Sequence, residues 1–167
     1  MQKVHRPRDK WRDVVFGGIV LLVVLADQLT KWWITNILQP GEILWDAGFL
    51  QVVHVHNTGA AFGIFKGHTP TLIIIVFLEI VVILLIVFFL RNRLSFLDGM
   101  MMRLGIGLVM GGAIGNQIDR LHLGYVTDFL DFKVWPAFNI ADSSAVVGSI
   151  IIAVCLVFLA KTARHQE

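Results

Sequence analysis

Four apolar stretches dominate the sequence and limit the folds that this chain can adopt. They cover residues 14–34, 71–90, 99–118 and 143–160. Each is close to the roughly 20 residues that a helix needs to cross a bilayer. The chain is 56% hydrophobic and 16% charged, whereas a soluble domain carries about a quarter charged residues. The sequence therefore predicts an all-α polytopic membrane protein with four transmembrane helices, in one domain that covers residues 1–167.

The first stretch also has the form of a secretory signal peptide, because basic residues precede a short apolar core. The apolar pattern continues beyond that core, however, through Trp32 and Trp33. Two tryptophans at that position suit the aromatic belt at a membrane interface. We therefore expect the first stretch to be a retained transmembrane helix rather than a cleaved leader.

The basic residues indicate which side of the membrane holds the termini. Four spans place both termini and the 91–98 turn on one side. That side carries most of the lysine and arginine: Lys3, Arg6, Arg8, Lys10, Arg12, Arg91, Arg93, Arg103, Lys161 and Arg164. Because such an excess marks the cytoplasmic side, we expect the segments 35–70 and 111–144 on the outer face. The net charge of +2 is too small to indicate a nucleic-acid partner.

The segment 35–70 differs from the spans because glycine, proline, asparagine and aspartate are frequent in it. These residues favour turns between short elements. Within the segment, residues 49–55 are rich in β-branched and aromatic strand formers. We therefore expect a small extracytoplasmic β region between the first two spans.

The histidines and the single cysteine are weak candidates for chemistry. His54 and His56 project from one face of the predicted strand, and with His68 or His122 they form a candidate zinc site. The sequence has no His-Glu-x-x-His helix, so this metal signal is weak. Cys155 lies within the last apolar stretch, where a small buried apolar residue is the favoured interpretation. We expect no metal and no cofactor.

The stretch 111–144 concentrates carboxylates between two apolar runs, and it holds Asp119, Asp128, Asp131 and Asp142. Ionisable groups beside hydrocarbon are costly to bury, so they indicate a functional site. Two carboxylates held close can share one proton, which leaves one base and one acid for hydrolysis. Asp128, in an amphipathic interfacial segment, and Asp142 flank the loop before the last apolar run. They are therefore the preferred pair.

Spacing alone leaves alternatives open. Asp131 lies three residues after Asp128 and could replace it. Asp142 lies at or near a helix N-terminus, where a plain helix cap explains it as well as catalysis does. Glu79, deep in the second span, is either a proton relay or a neutral or bundle-facing acid. A small transporter with a proton relay and a metal-dependent membrane enzyme are the alternative functions.

Other polar residues of the spans suggest supporting roles. Asn116, Asp119 and Arg120 share one face at the outer end of the third span because they are three and four residues apart. We interpret Asp119 and Arg120 as structural partners of the site. Asp27 and Lys31 are four residues apart at the outer end of the first span, which predicts a structural ion pair.

The sequence resembles the lipoprotein signal peptidases (signal peptidase II), a family of bacterial membrane aspartyl proteases. Five segments carry the resemblance: 27–31 (DQLTK), 57–62 (NTGAAF), 111–120 (GGAIGNQIDR), 126–129 (VTDF) and 138–143 (FNIADS). Five segments in one order cover nearly the whole chain, which makes the match far more specific than any single motif in it.

The resemblance implies four transmembrane helices, an extracytoplasmic β-cradle and a short interfacial helix. It implies that Asp128 and Asp142 are catalytic, which selects Asp128 over Asp131. The implied substrate is a prolipoprotein whose cysteine carries diacylglyceryl, cleaved just before that cysteine by a monomeric enzyme of the bacterial inner membrane. The positions that match substrate-binding or supporting residues of the family are Asn57, Gly59, Asn116, Arg120 and Asn139.

Overall fold

The computed structural model describes residues 10–59, 67–90, 97 and 99–164. Its helices are α1 (Lys10–Ile37), α2 (Thr69–Leu85), α3 (Met100–Leu123) and α4 (Ile140–Arg164), and α2 continues as a π-helical turn, Ile86–Leu90. Its strands are β1 (Ile43–Asp46), β2 (Gln51–Asn57) and β3 (Val126–Asp131). The mainly helical architecture that the composition predicts is therefore confirmed, and a small sheet accompanies it.

Each apolar stretch largely coincides with one helix. The stretch 71–90 covers α2 and its π-helical turn, whereas α1, α3 and α4 extend beyond their stretches. α3 continues past its predicted end to Leu123, where Gly124 ends the helix in a left-handed conformation with φ 79°. α4 begins at Ile140, so Asp142 lies in its first turn. The expected position of Asp142 at or near a helix N-terminus is confirmed, and the bounds of the membrane spans themselves stay a prediction.

Three helices are long and apolar enough to cross a membrane, judged by the length and composition of the described residues. They are Trp11–Ile37, Thr69–Phe89 and Ile140–Thr162. α3 is not among them, since it carries several glycines and polar side chains such as Arg103 and Asn116. Its role as a fourth span stays a prediction.

The three strands form one antiparallel sheet in the order β1–β2–β3. β2 confirms the strand predicted around residues 49–55. The segment around Asp128 forms β3, in which Asp128 pairs with Val55 and Val126 pairs with Asn57, and its position at a membrane interface stays a prediction. The two strands lie far apart in the chain, so the local sequence pattern carries no sign of their pairing.

Glycines let α3 pack tightly between α1 and α4. A Cβ atom at Gly112 would overlap the carbonyl oxygen of Ala141 in α4, and one at Gly115 would lie 2.7 Å from Asp27 Oδ2 in α1. Helices associate closely in membranes through such small residues. The backbone of α3 thereby comes within direct contact of the segments that carry Asp27 and Asp142.

A small apolar cluster attaches the sheet to one end of the helix bundle. Ile34 and Leu38, at the end of α1, are buried against Phe129 of β3, and Ile140 of α4 packs against the same cluster. α1 and α3 end beside the sheet, and α4 begins there. The carboxylates of β3 and of the first turn of α4 are thus held at this end of the bundle.

Three further residues of the helices are placed by the structure. Glu79 is exposed on the outward face of α2, so the bundle-facing interpretation is wrong, and the exposed position separates Glu79 from the buried carboxylates. Cys155 is half-buried and packs against the apolar core, as expected for a small apolar side chain. Arg103 is buried and forms an ion pair with Asp13 at 2.8 Å.

Candidate active site

Asp128 is held on β3 with both carboxylate oxygens occupied. Its side chain is buried, with the residue 1% exposed. Oδ1 accepts a hydrogen bond from Asn139 Nδ2 at 2.7 Å, and Oδ2 accepts one from Asn57 Nδ2 at 2.9 Å. The Asn57 amide is itself oriented, because its Oδ1 accepts the Gly59 backbone N–H at 2.9 Å. Two oriented amide donors therefore fix the plane of this carboxyl group.

Asp142 is held in the first turn of α4 by a reciprocal cap. Its Oδ2 accepts the backbone N–H of Asn139 at 3.2 Å, and Asn139 Oδ1 accepts the Asp142 backbone N–H at 2.9 Å. This is the geometry of a capping box. Its other oxygen, Oδ1, accepts Asn116 Nδ2 at 2.8 Å. Asp142 is therefore part of a helix cap and also faces the polar site.

Asn139 connects the two carboxyl groups. Its side-chain amide donates to Asp128 through Nδ2, while its Oδ1 and backbone N–H bond to Asp142. The same Nδ2 also lies 3.0 Å from Asn116 Oδ1. Asn139 is 0% exposed, so this bridge is protected from exchange with water. One asparagine thus sets the position of Asp128 relative to Asp142.

The environment favours a proton on this carboxyl pair. Burial, followed by the charge of Asp142, raises the pKa of Asp128 to about 7. The hydrogen bonds from Asn57 and Asn139 and the charge of Lys31 act in the opposite direction. A carboxyl group that still holds its proton near neutral pH can act as a general acid beside an ionised partner.

Arg120 supplies positive charge to the same site, but it is not the partner of Asp119. The half-buried guanidinium interacts electrostatically with Asp142, Asp128 and Asp119. Asp119 instead bonds through Oδ2 to Lys31 Nζ at 3.2 Å and to the Thr127 backbone N–H at 2.9 Å. Adjacent residues of a helix do not face each other, so Asp119 and Arg120 reach the site separately, and their role as structural partners of the site stays a prediction.

The predicted ion pair between Asp27 and Lys31 is confirmed at 2.8 Å, and it belongs to a larger cluster. Gln28 Nε2 donates to Asp27 Oδ2 at 3.2 Å and to Asp119 Oδ1 at 3.0 Å. Gln28 was not predicted as a site residue, although it stands between Asp27 and Lys31 in the first family-like segment. Its neutral side chain gave no signal of its own.

Asp131, the alternative to Asp128 in the sequence, lies apart from this network. Asp131 is three residues beyond Asp128 on the same strand, so the two side chains point to opposite faces. Its oxygens accept Gln51 Nε2 and the Lys133 backbone N–H, both at 2.7 Å. Asp131 therefore does not replace Asp128 in the described site.

The histidines contact one another rather than a shared ligand position. The rings of His54 and His56 lie 4.8 Å apart edge to face, and His56 stacks on Tyr125 at 3.8 Å. In the described part of the chain, no three His, Cys, Asp or Glu side chains are grouped to hold a metal ion. Independence from metal stays a prediction.

The fold and this site define a class of protein: a membrane enzyme in which buried Asp128 and half-buried Asp142 share one hydrogen-bonded network, a carboxyl pair like that of aspartic hydrolases. The family model described as Signal peptidase (SPase) II matches residues 19–158. The chain belongs to the signal peptidase II family. The resemblance seen in the five sequence segments is therefore confirmed, together with the enzyme class, an aspartic-type signal peptidase.

Relatives and solved structures agree with this assignment. The chain is 47% identical over 155 residues to a lipoprotein signal peptidase of Dehalococcoides mccartyi, covering 93% of this chain and 94% of that protein. It is 43% identical to one of Moorella thermoacetica, covering 80% and 87%. A bacterial membrane enzyme structure solved in meso at 2.3 Å shares 32% identity with a TM-score of 0.74, covering 86% of this chain and 87% of that one.

Proposed function

We propose that Asp128 and Asp142 are the catalytic dyad with which this chain removes signal peptides from prolipoproteins. Removal of these signal peptides is the activity of the signal peptidase II family, to which the chain belongs. The hydrogen-bonded bridge through Asn139 carries the assignment of the dyad, since it holds the buried carboxyl group of Asp128 and the half-buried one of Asp142 in one network. No metal enters this chemistry.

The dyad works by passing protons between water, substrate and the two acids. One carboxylate takes a proton from a water molecule, whose oxygen attacks the carbonyl carbon of the scissile bond. The protonated partner donates its proton to the carbonyl oxygen, which prevents charge from accumulating there. When the tetrahedral intermediate collapses, the first acid gives its proton to the leaving amine, and the hydroxyl group that becomes the new carbonyl returns its proton to the partner acid. The pair then again holds a single proton.

The surrounding polar residues bind and orient the substrate in this proposal. Arg120 has no hydrogen bond or ion pair within 4 Å among the described residues, so its donors are available for a substrate carbonyl. Asn57, anchored by Gly59, and Asn116 present amides beside the carboxyl groups. Asn139 holds the carboxyl groups of Asp128 and Asp142 in a fixed position relative to each other.

The substrate in this proposal is a prolipoprotein that already carries diacylglyceryl on its cysteine, and cleavage occurs just before that cysteine. A lipid-modified substrate remains in the bilayer, so its scissile bond lies near the interface. The proposed dyad lies where the apolar helices meet the sheet, and this position supports cleavage near the interface. This substrate class rests on the family resemblance together with that position.

The test is cleavage of a defined substrate by the purified protein. We expect a diacylglyceryl-modified prolipoprotein to yield the shorter lipoprotein and the free signal peptide. The same polypeptide without the lipid is the matched control, and we expect at least about tenfold slower cleavage because remote binding energy is lost. Intact lipidated substrate after incubation with well-folded enzyme would contradict the proposed function.

We also propose that the protein is a monomeric, single-domain enzyme of the bacterial inner membrane. Residues 1–167 form that domain, and α3 is the fourth transmembrane helix. The small sheet is the extracytoplasmic β-cradle, and both termini are cytoplasmic. The charge bias of the loops supports this orientation, and the attachment of the sheet to one end of the bundle supports a single outer face.

Reporter fusions test this topology. A reporter that is active only outside the cytoplasm should be active when fused after Lys133, because that position follows the outer sheet. The same reporter should be silent when fused after Arg93 or Glu167, on the proposed cytoplasmic side. Equal expression of each fusion, measured by immunoblot, is the control. The reverse pattern of activity would overturn the orientation drawn from the charge bias.

The pKa of Asp128 sets an expected pH dependence. Because its pKa is raised to about 7, the proton needed for general-acid catalysis is lost as the pH rises through that value. We expect kcat/KM to fall about tenfold per pH unit on this alkaline limb, which begins near pH 7. The measurement is the pH profile of cleavage over the range in which the enzyme stays folded.

His56→Asn is the matched control for this limb. Burial and the neighbouring His54 lower the pKa of His56 from its ordinary value of 6.5. This histidine therefore loses its proton at a lower pH than that at which the alkaline limb begins. We expect the limb to remain in place in His56→Asn. A wild-type profile that stays flat well above pH 8, or a limb that disappears in His56→Asn, would contradict the assignment to the dyad.

A further inference from the structure

We infer that Lys31 is a positioning residue that fixes both acids of the proposed dyad through three separate branches. This inference rests on the proposed function. The ammonium group of Lys31 lies 2.8 Å from Asp27 Oδ2, 3.2 Å from Asp119 Oδ2 and 2.9 Å from Asn116 Oδ1. The ammonium group therefore forms ion pairs with both carboxylates and donates a hydrogen bond to the amide oxygen. Lys31 is 3% exposed, so water does not replace these contacts.

The first branch reaches the segment that carries Asp142. Asp27 Oδ2 forms the ion pair with Lys31, and its second oxygen, Oδ1, accepts the backbone N–H of Ala141 at 2.9 Å. Ala141 immediately precedes Asp142 in the first turn of α4. Lys31 therefore fixes the carboxylate that holds the N-terminus of α4 against α1.

The second branch reaches the segment that carries Asp128. Asp119 Oδ2 forms an ion pair with Lys31 and accepts the backbone N–H of Thr127 at 2.9 Å. Thr127 immediately precedes Asp128 on β3. One ammonium group therefore connects to the residue before each acid, on two elements that are far apart in the sequence.

The third branch acts on a side chain that touches the dyad directly. Asn116 Oδ1 accepts from Lys31 and from Asn139 Nδ2. With its oxygen so occupied, the amide must turn its Nδ2 towards Asp142 Oδ1, at 2.8 Å. Without Lys31 the amide loses its stronger, charged donor, and its orientation is no longer fixed.

Lys31 also acts on the dyad through its charge. Its ammonium favours the ionised form of Asp128. The charged groups that face this cluster are Asp27 from α1, Asp119 and Arg120 from α3, Asp128 from β3 and Asp142 from α4. Removing the ammonium therefore favours the protonated pair and moves the alkaline limb of the pH profile upward.

The test compares steady-state kinetics and pH profiles of purified variants. For Lys31→Met we expect kcat to fall about 10²-fold, as for other small misplacements of reacting groups, with KM changed less than about threefold. We expect the alkaline limb to move up by at least about half a pH unit. For Lys31→Arg we expect a lowered kcat with the limb in place, because the charge remains but a planar fork cannot reproduce three contacts of a compact ammonium.

A second variant allows for misfolding, since Lys31→Met leaves two buried carboxylates without their cation. In Lys31→Met combined with Asp27→Asn, the asparagine oxygen can still accept the Ala141 N–H while one negative charge is removed. We expect this double variant to fold, as measured by thermal unfolding in detergent, and to keep the low kcat. If neither Lys31→Met nor the double variant folds, the kinetics of Lys31→Arg test the inference. A wild-type kcat in Lys31→Arg would then overturn it.

Lys133→Met is the matched control, because Lys133 forms a 2.8 Å ion pair with Asp46 on the exposed part of the sheet. We expect its kcat and alkaline limb to equal those of the wild type. Wild-type kcat and an unmoved limb in a folded Lys31→Met would overturn the inference. The dyad variants separate this failure from that of the proposed function: Asp128→Asn and Asp142→Asn remain inactive if only the role of Lys31 is wrong.

Discussion

Asp128→Asn and Asp142→Asn should each lower kcat by at least about 10²–10⁴-fold, the usual cost of removing a general acid or base. Asparagine keeps the shape of aspartate but cannot exchange a proton. The substitution also places an NH₂ group against amide donors, such as Asn57 and Asn139 around Asp128. Cleavage of the lipidated substrate is therefore measured together with thermal unfolding, so that lost chemistry is distinguished from lost structure.

Asp131→Asn is the matched control for the opposed amide donors that the two dyad variants create. Asp131 also accepts a side-chain amide, from Gln51 Nε2 at 2.7 Å, so the substitution creates the same opposition of donors away from the site. We expect near-normal kcat in this variant. If Asp131→Asn were inactive and Asp128→Asn active, the assignment within this segment would be wrong.

The double variant Asp128→Asn with Asp142→Asn tests whether the two acids act as one unit. Residues that share one chemical step are not additive, so the double variant should be little worse than either single variant. A further loss of the same size as the first would indicate two independent roles. Near-normal cleavage by either folded single variant would remove the aspartyl mechanism altogether.

Much of this architecture could be predicted from local sequence patterns. Apolar length locates the helices, and the i, i+4 spacing of Asp27 and Lys31 predicts their ion pair correctly. The position of Asp142 before an apolar run predicts its place in the first turn of α4. These features depend on residues within one helix, where periodicity alone decides which side chains meet.

The contacts that assemble the site could not be predicted in the same way. β3 forms because its backbone pairs with β2, and that pairing depends on the folded arrangement rather than on the pattern of residues 126–131. Asp119 bonds to Lys31 on another helix rather than to its neighbour Arg120. Spacing identifies the residues that share a face, but only packing determines which element covers that face.

Gly112→Ala should damage both stability and catalysis, because the added Cβ would overlap the carbonyl oxygen of Ala141 and lie 3.3 Å from Ala145 Cβ. Backbone cannot move aside as a flexible side chain can, so α3 and α4 must separate. Overpacking of this kind costs about 1–3 kcal/mol of unfolding free energy. We therefore expect a lower Tm in detergent than that of the wild type.

In Gly112→Ala, kcat should fall together with Tm, because the backbone N–H of Ala141 is bonded to Asp27 and Ala141 directly precedes Asp142. A displacement of about 1 Å at reacting groups costs up to about 10²-fold in rate. Gly18→Ala in α1 is the matched control, since a Cβ there has nothing within 4 Å. In that variant we expect an unchanged or higher Tm, because alanine favours a helix over glycine, and normal cleavage. Wild-type Tm and kcat in Gly112→Ala would mean that α3 and α4 do not approach this closely and that the Asp142 segment is positioned without their contact.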